Sequence, residues 1–185
     1  MLLKREDYPR MDTLRLNTRI FFLGFHQACF NPGILLIGLL EMQTKLAIYA
    51  IRAFMPVLML SNGASLIEAG LFLSIQETSN ALVRPFSVRM VNKLGFLLSI
   101  SCGLILLALG LLIIASFGLH FTIWTACILT GCGQAIFTPS AEGMTALYAP
   151  KTQLGITFGI VGSLRNLGKI LGPILAGLLL SLIHI

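Results

Sequence analysis

Lys45, Arg52, Arg165 and Lys169 each fall inside an apolar run long enough to cross a bilayer. A cation at mid-membrane costs roughly 2.5 to 3.5 kcal/mol on insertion scales, so a chain that keeps four of them hides them from lipid in a wet, protein-lined interior. Fixed charges in such an interior hold and steer polar solutes. Glu41, Lys45 and Arg52 share one helical face, because four residues overshoot a turn by about 40° and eleven by about 20°. Glu41 and Lys45 stand at i, i+4 and can neutralise each other. Arg52 has no partner on its own helix and is the better solute contact. In a second run Glu77, Asn80 and Arg84 line one face, with Ser74 at its margin. Glu77 and Arg84 are seven residues apart, too far to pair directly. Glu77 therefore reads either as a proton carrier in a low-dielectric site or as the partner of a cation on another helix. Thr130, Gln134 and Thr138 form a further polar stripe, with Glu142 near the end of the same run. Arg165, Asn166 and Lys169 lie on one side of the last run.

The elements that must position these groups are membrane helices. The chain has 185 residues, 56% hydrophobic and 11% charged, with a mean hydropathy of +0.91. Soluble domains carry about 25% charged residues, and a water-soluble core cannot absorb this much apolar surface. The net charge of +6 does not point to nucleic acid, since no basic-aromatic patch is present and most bases cluster at the edges of apolar runs. Cys29, Cys102, Cys127 and Cys132 show no ligand pairing with histidine and read as small core hydrophobes, so neither a metal nor a cofactor is expected. Met1 to Arg19 is polar and mixed in charge, unlike a cleavable signal.

The expected organisation is a cytoplasmic segment over residues 1–30 and a helical bundle over residues 31–185 with five spans. The first, at about 32–60, opens on Asn31-Pro32, an N-cap followed by proline at the first helical position. Pro56 should bend its last turn. After an Asn62-Gly63 turn, Ser65 to Glu68 reads as a capping box that opens the second span, at about 66–88. The others are expected at about 96–117, 120–148 and 154–183. The third contains no ionisable residue and should face lipid, while the rest share the polar interior. Gly155, Gly159, Gly162, Gly168 and Gly172 permit close helix contact in the last span. With the N-terminus cytoplasmic, the inside segments hold nine Lys and Arg residues and the outside turns none. That asymmetry orients a multi-pass protein of the cell membrane.

Arg84-Pro85-Phe86-Ser87-Val88-Arg89-Met90-Val91-Asn92-Lys93-Leu94-Gly95, between two apolar spans, resembles the cytoplasmic loop signature of the major facilitator superfamily. It departs from that signature at Val88, where a glycine is usual, and at Asn92, where an aspartate is usual. Gly131-Cys132-Gly133 with Pro139, followed by Pro150-Lys151-Thr152-Gln153-Leu154-Gly155, is similar to the family's fourth-helix type of segment and its loop, with Leu154 in place of the usual arginine. Gly168, Gly172-Pro173 and Gly177 resemble the glycine-proline motif of the family's drug antiporters.

The resemblance implies an all-α integral membrane fold in which the five spans correspond to helices seven to eleven of a twelve-helix transporter. It further implies that the chain is a truncated or split product whose partners are the lipid bilayer, a small-molecule substrate, protons and a missing N-terminal half. On that footing Arg52, Gln134, Glu142, Arg165 and Lys169 are cavity contacts and Glu77 is the proton-coupling candidate. Arg84, Arg89, Asn92, Lys93 and Gly95 belong to a cytoplasmic gate loop, and Gly168, Gly172, Pro173 and Gly177 shape a kink. The expected function is the C-terminal part of a proton-coupled, multidrug-type exporter using alternating access. An importer of an anionic metabolite or sugar, or a non-transporting membrane interaction fragment, are the alternatives. An enzyme is not expected, since the sequence offers no paired catalytic carboxylates, metal-ligand cluster or nucleophile elbow.

Overall fold

A computed structural model describes residues 25–26, 30–116, 122–151 and 153–183. Most of the expected N-terminal cytoplasmic segment, with Cys29, lies outside the described residues, as do Phe117 and His120 at two expected span edges. Every regular element among the described residues is helical. They are α1 (Pro32–Ser61), α2 (Leu66–Ser116), α3 (Thr122–Tyr148) and α4 (Leu154–Ile183).

Local chemistry sets the helix ends. Asn31 Oδ1 accepts from the Gly33 amide at 3.0 Å, which satisfies one orphan donor at the start of α1. Gly63 takes φ 85° in the turn beyond it. In the Ser65 capping box the Ser65 amide donates to Glu68 Oε2 at 2.7 Å, and the Glu68 amide donates to Ser65 Oγ at 3.2 Å.

Where five separate runs are expected, the described residues from Pro32 onward form four helices, because the second and third runs join. Instead of a loop from Val88 to Gly95, the helix continues through Arg89, Asn92 and Lys93 and breaks at Gly95 alone (φ 83°, ψ 172°). Those angles belong to a region essentially reserved for glycine. A Cβ at Gly95 would meet nothing within 4 Å, so the demand there is conformational, not spatial. The break divides α2 into two limbs. A straight rod of 51 residues would run about 75 Å at 1.5 Å per residue, more than twice the hydrocarbon core, so a change of direction is needed if both limbs are to meet it. By length and composition, α1 and the Leu66–Ala115 stretch of α2 are long and apolar enough to cross a membrane.

The helices pack mainly as two pairs, α1 on α4 and α2 on α3. Glycine permits both contacts. A Cβ on Gly168 would overlap the Met42 carbonyl, and one on Gly172 would lie 2.5 Å from the Leu46 carbonyl oxygen, so α4 meets the α1 backbone directly. Gly131 lies against the Gln76 carbonyl on the first limb of α2, and a Cβ on Gly133 would lie 2.8 Å from the Gly103 carbonyl oxygen on the second. The glycine series of the last run thus divides: Gly168 and Gly172 make the close contact, whereas Gly155, Gly159 and Gly162 face open space. Ile37, Ile48, Leu107, Phe137 and Met144 join α1, the second limb and α3 in one apolar cluster. Met55, Phe72 and Cys127 centre another.

Burial is inverted relative to a soluble protein. On the second limb Leu97, Ile105 and Leu112 are 68%, 59% and 59% exposed, while Glu41 on α1 is fully buried. Large apolar side chains facing outward and charges facing inward suit a lipid solvent.

Candidate functional site

The polar residues of four helices meet along a single wall. α1 contributes Glu41, Lys45, Tyr49 and Arg52, spaced so that all fall on one side. Arg52 forms an ion pair with Glu77 of α2, and its Nε donates to Gln76 Oε1 at 3.3 Å. Its Nη2 also donates to Gln134 Oε1 of α3 at 3.4 Å. Gln76 in turn donates to Thr130 Oγ1 at 3.3 Å, and Asn80 donates to Glu77 Oε2 at 3.4 Å. This cluster ties α1, the first limb of α2 and α3 together.

A second cluster centres on Arg165 of α4. Its Nη2 donates to Glu41 Oε1 at 3.2 Å, its Nε lies 3.1 Å from Glu41 Oε2, and its Nη1 lies 3.1 Å from Glu142 Oε1 on α3. One guanidinium therefore serves two carboxylates, which its planar fork of donors allows. Glu41 thus pairs across helices, and the ion pair expected between Glu41 and Lys45 is not formed. Lys45 reaches instead to Thr138 Oγ1 on α3 at 3.5 Å.

Between the clusters lies Tyr49. Arg52 Cζ is 5.4 Å and Lys169 Nζ 5.8 Å from the centroid of its ring, both at cation–π range. Neither Tyr49 nor Lys45 stands among the sequence-derived cavity residues. The signal that finds Tyr49 is its place at i+8 from Glu41, on the charged stripe rather than the apolar one.

Proline loosens the backbone beside the wall. Pro56 in α1 and Pro173 in α4 have no N–H to give the carbonyls of Arg52 and Lys169, four residues earlier. The Arg52 and Arg165 side chains are each 22% exposed, Glu142 35% and Glu77 52%, so the wall is open along part of its length.

The structure thus brings Arg52, Glu77 and Gln134 into one contact network and Arg165 and Glu142 into another, with Lys169 between them. Arg84, Arg89, Asn92 and Lys93 stay apart, exposed at the end of the first limb near Gly95. Arg89 Cζ lies 5.6 Å from the Phe86 ring centroid, and the Arg84 carbonyl accepts from Ser87 Oγ at 2.7 Å. A separate pocket of about 310 Å³ lies between α1 and the second limb, lined by Leu40, Gln43, Ala47, Leu107 and Leu111 among others, and contains no charged group.

The Major Facilitator Superfamily pattern matches residues 20–185 of the chain. Among curated proteins, the Quinolone resistance protein NorA of Staphylococcus aureus (strain Mu50 / ATCC 700699) is 28% identical over 131 residues, which covers 70% of this chain and 34% of the relative. The proteins of that name from strains N315 and MW2 match to the same extent. The chain spans about a third of the length of the curated relatives it matches. No solved structure gives a significant match.

Proposed function

The chain belongs to the major facilitator superfamily, and on that premise we propose that it forms part of a proton-coupled exporter of small amphipathic molecules that works by alternating access. In this reading α1, both limbs of α2, α3 and α4 each cross the cell membrane, as helices seven to eleven of the fold, with the N-terminus cytoplasmic. The polar wall faces a solute cavity whose other side comes from an N-terminal half. The observation that carries the reading is the cross-helix charge network at mid-helix, since ionisable groups at membrane depth mark solute and proton pathways. The relatives are quinolone resistance proteins, which favours a drug-like solute.

Coupling follows from the Arg52–Glu77 pair. A proton on Glu77 removes the negative partner and leaves the Arg52 guanidinium held by the neutral oxygens of Gln76 and Gln134. Arg52 then stands as an uncompensated positive charge that repels a cationic solute. Loss of the proton restores the neutral pair and readmits the solute, so proton and solute exclude each other, as exchange in opposite directions requires. The Glu77 side chain is 52% exposed, so water reaches the carboxylate that takes the proton and the pair opens at modest cost. The gate-loop residues Arg84, Arg89, Asn92 and Lys93 lie at the cytoplasmic end, and the Gly95 break lets the two limbs rock separately.

Glu77→Gln tests the coupling. The amide keeps the shape but cannot take up or release the proton, so efflux driven by a proton gradient should vanish. Gradient-driven efflux at the normal rate would remove Glu77 from the coupling path.

A further inference from the structure

We propose that Leu82, Phe86, Arg89 and Lys93 form a docking stripe for one anionic phospholipid, with its phosphate between the two bases and an acyl chain along the apolar residues below. The proposal needs only that the chain sits in a bilayer, and it is independent of the solute that the polar wall carries.

Helix geometry puts the four side chains in line. They stand at i, i+4, i+7 and i+11 on the first limb of α2, which places them within about 60° of one another. Leu82 is 67% and Phe86 59% exposed, and Arg89 and Lys93 are exposed as well. The stripe therefore lies on the outer surface and grades from apolar to basic toward the helix end. Arg84, about 200° round the helix from Leu82, is on the opposite side.

Length sets the depth of that gradient. From Leu66 to Leu94 the limb runs about 43 Å at 1.5 Å per residue, roughly 13 Å more than the hydrocarbon core. Its other end carries the Ser65–Glu68 capping box, a polar group suited to the water interface. Counted about 20 residues from there, the core ends near Phe86. Leu82 then lies among acyl chains, Phe86 at the boundary, and Arg89 and Lys93 in the headgroup layer, where long basic side chains are stable. A loop in place of this helix would not hold the four in register.

Charge selects the lipid. Arg89 and Lys93 form no ion pair among the described residues, so both are open to an outside anion. Arg89 Cζ lies 5.6 Å from the Phe86 ring centroid, and the ring is a shelf that keeps the guanidinium at the boundary. That guanidinium can give two parallel N–H bonds to a phosphate, and Lys93, one turn further out, adds a point charge. A zwitterionic headgroup would bring its own ammonium against Lys93. An anionic headgroup brings none, so phosphatidylglycerol fits where phosphatidylcholine does not.

Quenching of a single indole by brominated lipid tests the proposal. In a chain carrying Trp124→Phe and Phe86→Trp, the one indole lies on the stripe and keeps a ring beneath Arg89. The protein is reconstituted in mixed vesicles of phosphatidylglycerol and phosphatidylcholine, with bromine on the chains of one lipid or the other. Quenching should show phosphatidylglycerol favoured at least about fivefold, the value of one basic side chain beside an anionic lipid. Adding Arg89→Gln and Lys93→Gln together should erase the preference, and adding Arg84→Gln should leave it intact. Glycerophosphoglycerol, the headgroup without chains, should not relieve the quenching. Equal quenching by the two lipids, an undiminished preference in the double glutamine variant, or an equal loss with Arg84→Gln overturns the proposal. Relief by glycerophosphoglycerol overturns it as well, since the bases then take a free phosphodiester.

Discussion

Arg165 on α4 holds Glu41 on α1 across 124 residues of sequence, with Nη2 3.2 Å from one carboxylate oxygen and Nε 3.1 Å from the other, at a position where Glu41 is fully buried. The same guanidinium reaches Glu142 on α3 at 3.1 Å. A single side chain therefore closes the bundle between its two packed pairs, and the charge that makes Glu41 tolerable inside the protein comes from the far end of the chain.

Removing Arg165 should harm folding as well as transport. Arg165→Ala leaves a buried carboxylate without its partner, a loss of about 3 to 5 kcal/mol for such pairs. Membrane abundance and melting temperature should fall sharply, and Glu41→Gln in the same chain should restore much of both. A four-variant cycle measures this, and simply additive losses would show that the two side chains do not act as a unit.

The glycines of α4 should not be equivalent. Gly168→Ala drives a Cβ into the Met42 carbonyl, a backbone atom that cannot swing aside, and should cost about 1 to 3 kcal/mol. Gly162→Ala meets nothing within 4 Å and should change stability by less than about 0.5 kcal/mol. Thermal unfolding in detergent compares them, and equal melting temperatures would mean that α1 and α4 do not meet at Gly168.

Single cysteines report the orientation. With Cys29, Cys102, Cys127 and Cys132 replaced, a cysteine at Asn92 or Lys151 should be shielded from an impermeant thiol reagent in intact cells, and one at Gly63 should react. Labelling at Asn92 and Lys151 would reverse the proposed topology.

What the sequence made legible was local. The Asn31 cap, the Gly63 turn and the Ser65–Glu68 box act over two to four residues, so residue types at short spacing specify them completely. The apolar character of the second limb was equally readable, since composition alone sends such a surface toward lipid. The charged stretch from Arg84 to Lys93 reads as a loop, whereas the helix absorbs Pro85, runs on through Lys93 and breaks at Gly95, where φ 83° calls for glycine. The pairing of charges was the least legible part. An i, i+4 rule connects Glu41 to Lys45, but the partner chosen lies on another helix, and only the Gly168 contact that brings α4 against α1 decides it. An aromatic residue in an apolar run reads as core, and only the two cations over its ring set Tyr49 apart.

Arg52 offers the most direct test of the claim that this wall handles solute. Its partner Glu77 has a half-exposed side chain that water can satisfy, so Arg52→Ala should leave the protein folded and abundant. The measurement is accumulation of ethidium in inside-out membrane vesicles that hold the chain together with the N-terminal half completing its cavity, energised by an acid interior, with protein content matched by immunoblot. The wild type should accumulate dye and collapse the gradient as it does so, and Arg52→Ala should accumulate no more than vesicles lacking the protein. Accumulation at the wild-type rate by Arg52→Ala, at equal abundance, would show that the wall only holds the helices together.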